Sequence, residues 1–400
     1  MKDNRFNERL HAIRMSPIVS ISEQVRARAP QFTAETGKPF VLFQRGEIDF
    51  ATPRYIIEAV RKALDAGFTK YPKSGGEDLL KDALIGKLRD FNGMSDAGRD
   101  NIVVTYGGQE ALQLAFQLFA GKRGAGFAPC WSCVLENFVP WAGVDFIEVP
   151  LRNDFSVDFD ALEGVIKQVA FFYLNTPHNP TGKVFTAEEI RTIAELCQKH
   201  GVYLISDESY ERITYGSSRH VSPLSLPMDN IIGCYTFSKT YSMTGWRLGY
   251  LVTRNTTITR LITLGDYTQT AGVVTFLQHA GAEALNNRQE EQHFLEEMMK
   301  EFRSRRDLLY DGLRAIPGIQ TDLPPGAFYL FPNFTALIPK DLTGDDRHLF
   351  VFKKLMEKGV AVVYGSCFGK HFGDNVRFSF STTPKEKILD GLERIRSVFM

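Results

Sequence analysis

Residues 230–254 read NIIGCYTFSKTYSMTGWRLGYLVTR, two apolar runs around a polar insert that holds Lys239 and Arg247. NIIGCYTF and LGYLVTR each have the length and the β-branched or aromatic content of a strand. A lysine that directly follows such a strand stands at the edge of a core. Burial there lowers its pKa, and a second cation such as Arg247 lowers it further. An amine that is neutral near physiological pH forms a Schiff base with an aldehyde. A guanidinium close by suits two-point binding of phosphate or carboxylate. The plainer explanations are a solvated lysine and a structural ion pair, and the motif alone leaves both standing.

The same alternation continues outward. NIVVTY (101–106), GAGFAP (124–129), VDFIEVP (144–150), VAFFYLN (169–175) and VYLISD (202–207) all read as strands. QEALQLAFQLF places Ala111, Leu112, Leu114, Ala115, Leu118 and Phe119 on one helical face. TAEEIRTIAELCQKHG opens with a capping box, Thr186 with Glu189, and ends at Gly201. TPRYIIEAVRKALDAG predicts a helix with Thr52 as cap, Pro53 in the first turn and Gly67 at the end. Continuously apolar strands separated by helices predict an α/β fold, a large domain whose mostly parallel sheet lies between helices. From residue 288, RQEEQHFLEEMMKEFRSRRDLLYDGLRAI is a long charged helix. AFYLFPNF, VAVVYG and VRFSFS follow as strands of a smaller α+β domain. The expected division is an arm at 1–45 completing the small domain, a large domain at 46–290, and a connecting helix with the small domain at 291–400.

Composition narrows the function. In 400 residues, 47 basic side chains balance 47 acidic ones, so no field favours nucleic acid or an anionic membrane. The polar start MKDNRFNERL lacks the apolar stretch of a signal peptide, and no apolar run is long enough to span a bilayer, which points to the cytoplasm. Five cysteines are too few for a disulfide scaffold. The C-x-x-C of PCWSC lacks the second ligand pair of a zinc site, so no metal is expected and two reduced thiols are.

Ligands of open α/β sheets lie beyond the carboxyl ends of the strands, which directs attention to the residues there. VVTYGGQEALQ is strand, two glycines, then helix, a geometry that lets backbone N–H groups approach an anion. It is neither a dinucleotide fingerprint nor a Walker loop. NTPHNPTG offers the amides of Asn175 and Asn179 on a loop stiffened by prolines. VYLISDESY puts Asp207 at a strand end with Tyr210 three residues on. An acid there is costly without a cation, for which a salt bridge or a cap is the plain account.

Taken in order, GEIDFATP, YPKSGGEDLLKDAL, VVTYGGQEAL, PCW, YLNTPHNPTG, SDESY, TFSKTYSMTGWRLGY, PPGAFY and VRFS resemble the class I/II aminotransferases, pyridoxal-phosphate enzymes of fold type I. The resemblance covers nearly the whole chain. It implies pyridoxal 5′-phosphate held by Lys239 as an internal aldimine, the same lysine later carrying the proton. By the same resemblance Asp207 pairs with the pyridine nitrogen, and Tyr210 and Asn179 donate to the phenolic oxygen. Backbone groups of Gly108 and Gln109, with Thr236 and Arg247, match the phosphate cradle, and Trp131 matches the residue stacked on the ring. Arg377 with Asn179 matches the clamp for the substrate α-carboxylate, and Gly46 the close approach of the amino-terminal segment. Tyr71 matches a tyrosine that reaches a phosphate in the other subunit, which implies a homodimer with shared sites.

Two positions depart from the family pattern: Ile48 replaces a common proline in GEIDF, and Gln109 stands where serine or lysine is frequent. Ser16, Ser20, Gln44 and Arg45 are the candidates for side-chain contacts. The implied reaction is ping-pong transfer of an amino group from an L-amino acid to a 2-oxo acid, with aspartate and 2-oxoglutarate as the favoured pair and aromatic amino acids and alanine next. A β-lyase or a cyclising synthase on the same fold is the alternative. The Y-x-x-x-K of Tyr235 and Lys239 also has short-chain dehydrogenase spacing, but the glycine-rich nucleotide turn that chemistry needs is missing. A regulatory module that only binds the cofactor would carry an extra DNA-binding domain or lack Lys239 or Asp207.

Overall fold

A computed structural model describes residues 7–400. Its strands are β1 (Val41–Leu42), β2 (Ile102–Thr105), β3 (Arg123–Ala128), β4 (Asp145–Pro150), β5 (Phe171–Asn175), β6 (Tyr203–Asp207), β7 (Ile231–Thr236) and β8 (Gly249–Thr253), then β9 (Tyr329–Leu330), β10 (Val360–Ala361), β11 (Val363–Tyr364) and β12 (Val376–Ser379). Seven of them form one sheet in the order β2-β8-β7-β6-β5-β3-β4. All neighbours are parallel except β8, which runs against both β2 and β7. Successive side chains serve opposite faces. Phe172, Leu174, Leu204 and Val252 join one apolar cluster, while Phe171, Tyr173, Ile205 and Leu251 join another. Both faces of the sheet are therefore covered, as the unbroken apolar strands predict.

The remaining strands build two small sheets, β11-β12-β9 and the parallel pair β1-β10. A 27-residue helix, Arg288–Arg314, links the two halves of the chain. The capping box forms as expected, with Glu189 N–H on Thr186 Oγ1 at 3.1 Å and Thr186 N–H on Glu189 Oε2 at 2.8 Å.

Three local expectations change. VAVVYG is not one strand: it breaks at the buried Val362, so that β10 pairs with β1 and β11 with β12. AFYLFPNF shortens to two strand residues, since proline cannot continue the ladder past Phe331. Thr52 does not cap its helix, because its hydroxyl donates to Ser242 O at 2.7 Å and Pro53 takes the cap position. Ile48, in place of proline, holds its loop by burial instead of ring stiffness.

The antiparallel β8 has one consequence for the site. It starts at the end where β7 finishes, beside the glycine turn that follows β2. A Cβ on Gly249 would lie 2.5 Å from the Gly107 carbonyl carbon and 2.7 Å from Gly108 N. We predict that Gly249→Ala destabilises the protein by about 1–3 kcal/mol, the usual cost of overpacking against backbone, as read by urea denaturation. Wild-type stability in that variant would show that the turn has room to move.

Candidate active site

The residues expected to carry chemistry converge on a cavity of about 280 Å³ beyond the ends of β5, β6 and β7. Lys239, Asp207, Tyr210, Asn179, Gly108, Gln109, Thr236, Arg247, Trp131, Gly46 and Arg377 all line it. Parallel register brings Asn175 and Asp207 side by side on neighbouring strands.

Lys239 sits on a single turn, Phe237–Thr240, that begins as β7 ends; Thr236 caps the turn by accepting the Ser238 N–H at 3.1 Å. Its Nζ donates to Gly46 O at 2.5 Å. Burial of the amine lowers its pKa to about 8, Glu47 opposes that shift, and Arg377 and Arg247 reinforce it. Burial pushes the Asp207 carboxyl up, against hydrogen bonds that favour its ionised form. Those bonds come from the Ser209 hydroxyl at 2.6 Å, the Ser209 N–H at 3.1 Å and the Tyr173 hydroxyl at 2.9 Å.

The helix Gly107–Gln117 points its amino terminus at the cavity, and its first-turn N–H groups have no partner within the helix. Gly107 adopts φ +75°, and a Cβ there would come within 3.0 Å of an Arg247 Nη. Only glycine lets the guanidinium approach this closely in that backbone conformation. Arg247 is itself in the left-handed region, with its guanidinium held by Thr244 O at 2.8 Å.

Arg377, 1 % exposed, donates to Asn179 Oδ1 at 3.0 Å and to Gln44 O at 2.9 Å, and its Nε has no protein partner. The salt-bridge explanation fails for the whole group. Among the described residues, Asp207, Lys239, Arg247 and Arg377 have no oppositely charged side chain in salt-bridge contact. Three unpaired charges, Asp207, Arg247 and Arg377, around one desolvated amine call for a ligand that brings the complementary charges and a group the amine can attack. Its cation would meet Asp207, one anion would meet the helix terminus with Arg247, a second anion Arg377, and a carbonyl carbon the amine of Lys239. Pyridoxal phosphate with a substrate carboxylate has that donor and acceptor set.

Other expected residues lie elsewhere. Tyr71 is 91 % exposed, in a separate surface groove beside Thr270 and Phe276. Of the side-chain candidates, Ser16 reaches the cavity wall, while Ser20 and Arg45 are exposed. Gln44 contributes its backbone carbonyl. Tyr235 is buried on the far side of β7, where its hydroxyl donates to Glu208 Oε1 at 2.7 Å, so it does not line the cavity with Lys239. All five cysteines are free, and Cys133 joins Trp131 in the wall. Sequence reasoning missed Ser209 and Tyr173, which hold Asp207, and also Tyr329. Tyr173 had a readable signal, since it lies two residues before Asn175 on a strand and so shares its face.

Fold and cavity together suit an enzyme that binds a phosphate-bearing aldehyde cofactor. The chain belongs to the aminotransferases of class I and II, whose family model matches residues 38–395. A probable aspartate/prephenate aminotransferase of Aquifex aeolicus is 36% identical over 397 residues, 97% of each chain. An aromatic-amino-acid aminotransferase of Thermococcus litoralis is 34% identical over 88% of this chain and 90% of its own. Aspartate aminotransferase from Thermus thermophilus, solved with maleate, superposes with a TM-score of 0.90 at 32% identity over 100% of both chains. The chain is thus a pyridoxal-phosphate-dependent transaminase acting on amino and 2-oxo acids, and no helix of the described residues is long and apolar enough to cross a membrane.

The lowered pKa of Lys239 has a sign that can be tested. Its neutral, nucleophilic form grows as pH rises through about 8. Capture of added pyridoxal phosphate by protein stripped of cofactor should therefore accelerate across that pH and level off above it. A rate still climbing near the ordinary lysine value would show that the amine is not desolvated.

Proposed function

We propose that this chain exchanges an amino group between aspartate and 2-oxoglutarate in two half-reactions at the cavity around Lys239. The observation that supports it most is the set of three unpaired charges around a desolvated lysine, which matches a cationic ring, a phosphate and a carboxylate together with an aldehyde for the amine. When bound, pyridoxal phosphate supplies the aldehyde that takes up the substrate nitrogen and the ring that withdraws electrons from the substrate Cα.

The chain's own residues do the rest of the work in this reading. Arg377 grips the α-carboxylate at two points, and Asn179 fixes the plane of that guanidinium. Lys239 Nζ, held toward Gly46 O, carries the proton from the substrate Cα. The Ser209 and Tyr173 bonds favour the ionised form of Asp207 against its burial, and a protonated ring nitrogen would complete that pairing. Tyr210 and Asn179 donate to the phenolic oxygen, Trp131 stacks on the ring, and Gly108, Gln109, Thr236 and Arg247 hold the phosphate. Holding the reacting groups in fixed geometry supplies much of the rate.

The pairing of two protomers belongs to the same proposal. Tyr71 stands beside the end of the helix Thr256–Thr270, whose outer side exposes Leu261, Leu264 and Tyr267 at 44%, 53% and 61%. Exposed apolar side chains of this size on one flank suit a self-complementary interface. Leu264→Arg combined with Tyr267→Arg should convert the dimer to a monomer in sedimentation velocity. An unchanged mass would place the interface elsewhere.

A second substrate reading rests on the cavity wall. Its cations are Lys239, Arg247 and Arg377, each already engaged in the scheme above, and the remaining wall includes the neutral Ser16, Ile18, Val19 and Cys133. That wall favours a neutral or aromatic side chain, whereas aspartate's second carboxylate would draw its cation from the partner protomer.

Adding pyridoxal phosphate should give the protein a visible absorption band, and Lys239→Ala should abolish the borohydride-fixable link. A protein that stays colourless sinks the whole reading. Single amino acids mixed with the coloured protein should then bleach the band, aspartate fastest if the first substrate reading holds and phenylalanine fastest if the second does. Pyruvate or ammonia released without an acceptor would mark a lyase instead.

A further inference from the structure

Tyr329, at the end of PPGAFY, touches more of the catalytic apparatus than any role so far requires. It is buried to 1 % exposure yet lines the cavity. Its hydroxyl lies 2.8 Å from the Tyr210 hydroxyl. Its ring lies under the Arg377 guanidinium, 4.4 Å from carbon to centroid. A Cβ built on Gly46 would stand 2.8 Å from the same hydroxyl. Gly46 O, in turn, is the acceptor for Lys239 Nζ.

We infer that Tyr329 is a positioning residue that sets both the donor strength of Tyr210 and the placement of Arg377. The inference rests on the transaminase site proposed above and adds a residue that the site does not otherwise use. Tyr210 has one hydroxyl proton. If it points toward the cavity, the Tyr210 oxygen is free to accept from the Tyr329 hydroxyl. The two phenols then form a chain, Tyr329 to Tyr210 to ligand oxygen, and each donor in such a chain strengthens the next.

The ring has a separate task. Arg377 has no carboxylate to fix it, so its orientation comes from Asn179, Gln44 O and the two aromatic faces of Tyr329 and Phe368, the latter at 5.2 Å. A ring under a desolvated guanidinium both attracts it and limits its swing. Gly46 is required for the same arrangement, because any side chain there would push the phenol away from Tyr210. The hydroxyl and the ring can be removed one at a time, which separates the two roles.

The first experiment reads the pH midpoint of the visible band in cofactor-loaded wild type, Tyr210→Phe, Tyr329→Phe and the double variant. Tyr329→Phe should raise the midpoint by part of the Tyr210→Phe shift, and the double variant should show no more than Tyr210→Phe alone. An unmoved midpoint in Tyr329→Phe, or shifts that simply add, overturns the hydroxyl role. The second experiment titrates the unreactive dicarboxylate succinate, followed by its effect on the same band. Tyr329→Leu should bind it about tenfold more weakly and Tyr329→Phe within about twofold of wild type. Equal binding by Tyr329→Leu and wild type overturns the ring role. A wild-type protein that never gains the band fails at the site reading itself, whereas a normal band with wild-type behaviour in every Tyr329 variant fails only the inference.

Discussion

A guanidinium buried without a carboxylate is costly to hold, and the arrangement around Arg377 is organised by that cost. Desolvation of such a charge is compensated only where neutral acceptors and aromatic faces meet it in good geometry. Here they come from four distant parts of the chain: Gln44, Asn179, Tyr329 and Phe368. The amino-terminal segment must therefore pack across the end of the seven-stranded sheet. β1 holds it in place by pairing with β10, and the Gly46 carbonyl reaches Lys239 as a result.

The second buried charge, Asp207, is organised in a complementary way. Its segment divides by side. Asp207, Ser209 and Tyr210 face the cavity, whereas Glu208 and Glu211 face a buried network behind it. Lys87 meets Glu211 at 2.5 Å, and His220 and Tyr235 meet Glu208 at 2.6 and 2.7 Å. The acids behind the turn are thus paired, and the one in front is left for a ligand. This division accounts for Tyr235 being unable to act with Lys239: the strand's alternation sends it to the paired side.

Much of this was legible in the sequence because strand and helix periods are local properties. The seven strands of the main sheet and the Thr186 cap follow from such periods, and the strand-end glycines, acids and amides follow from the position of each strand's end. What escaped depends on partners distant in the chain. VAVVYG has the composition of one strand, and only its pairing with both β1 and β12 divides it at Val362. Thr52 has the chemistry of a cap, but Ser242 O competes for its hydroxyl. Tyr329 looks like one more aromatic in an apolar run, since nothing within PPGAFY shows that Tyr210 and Arg377 lie on either side of it. The resemblance to a known family supplied roles for residues whose spacing alone would have left an ion pair and a cap as sufficient explanations.

The antiparallel course of β8 has a further mechanical meaning. The chain leaves the sheet at Thr236 and re-enters at Gly249, so the excursion carrying Lys239 begins and ends at one point. An anion gripped by both Thr236 and Arg247 would close that excursion into a ring of twelve residues without a covalent bond. For a loop of that length a permanent cross-link is worth on the order of 3 kcal/mol in lost chain entropy, which sets an upper bound for the reversible version. The ligand that supplies the chemistry would at the same time act as the clasp that keeps the lysine's loop in shape.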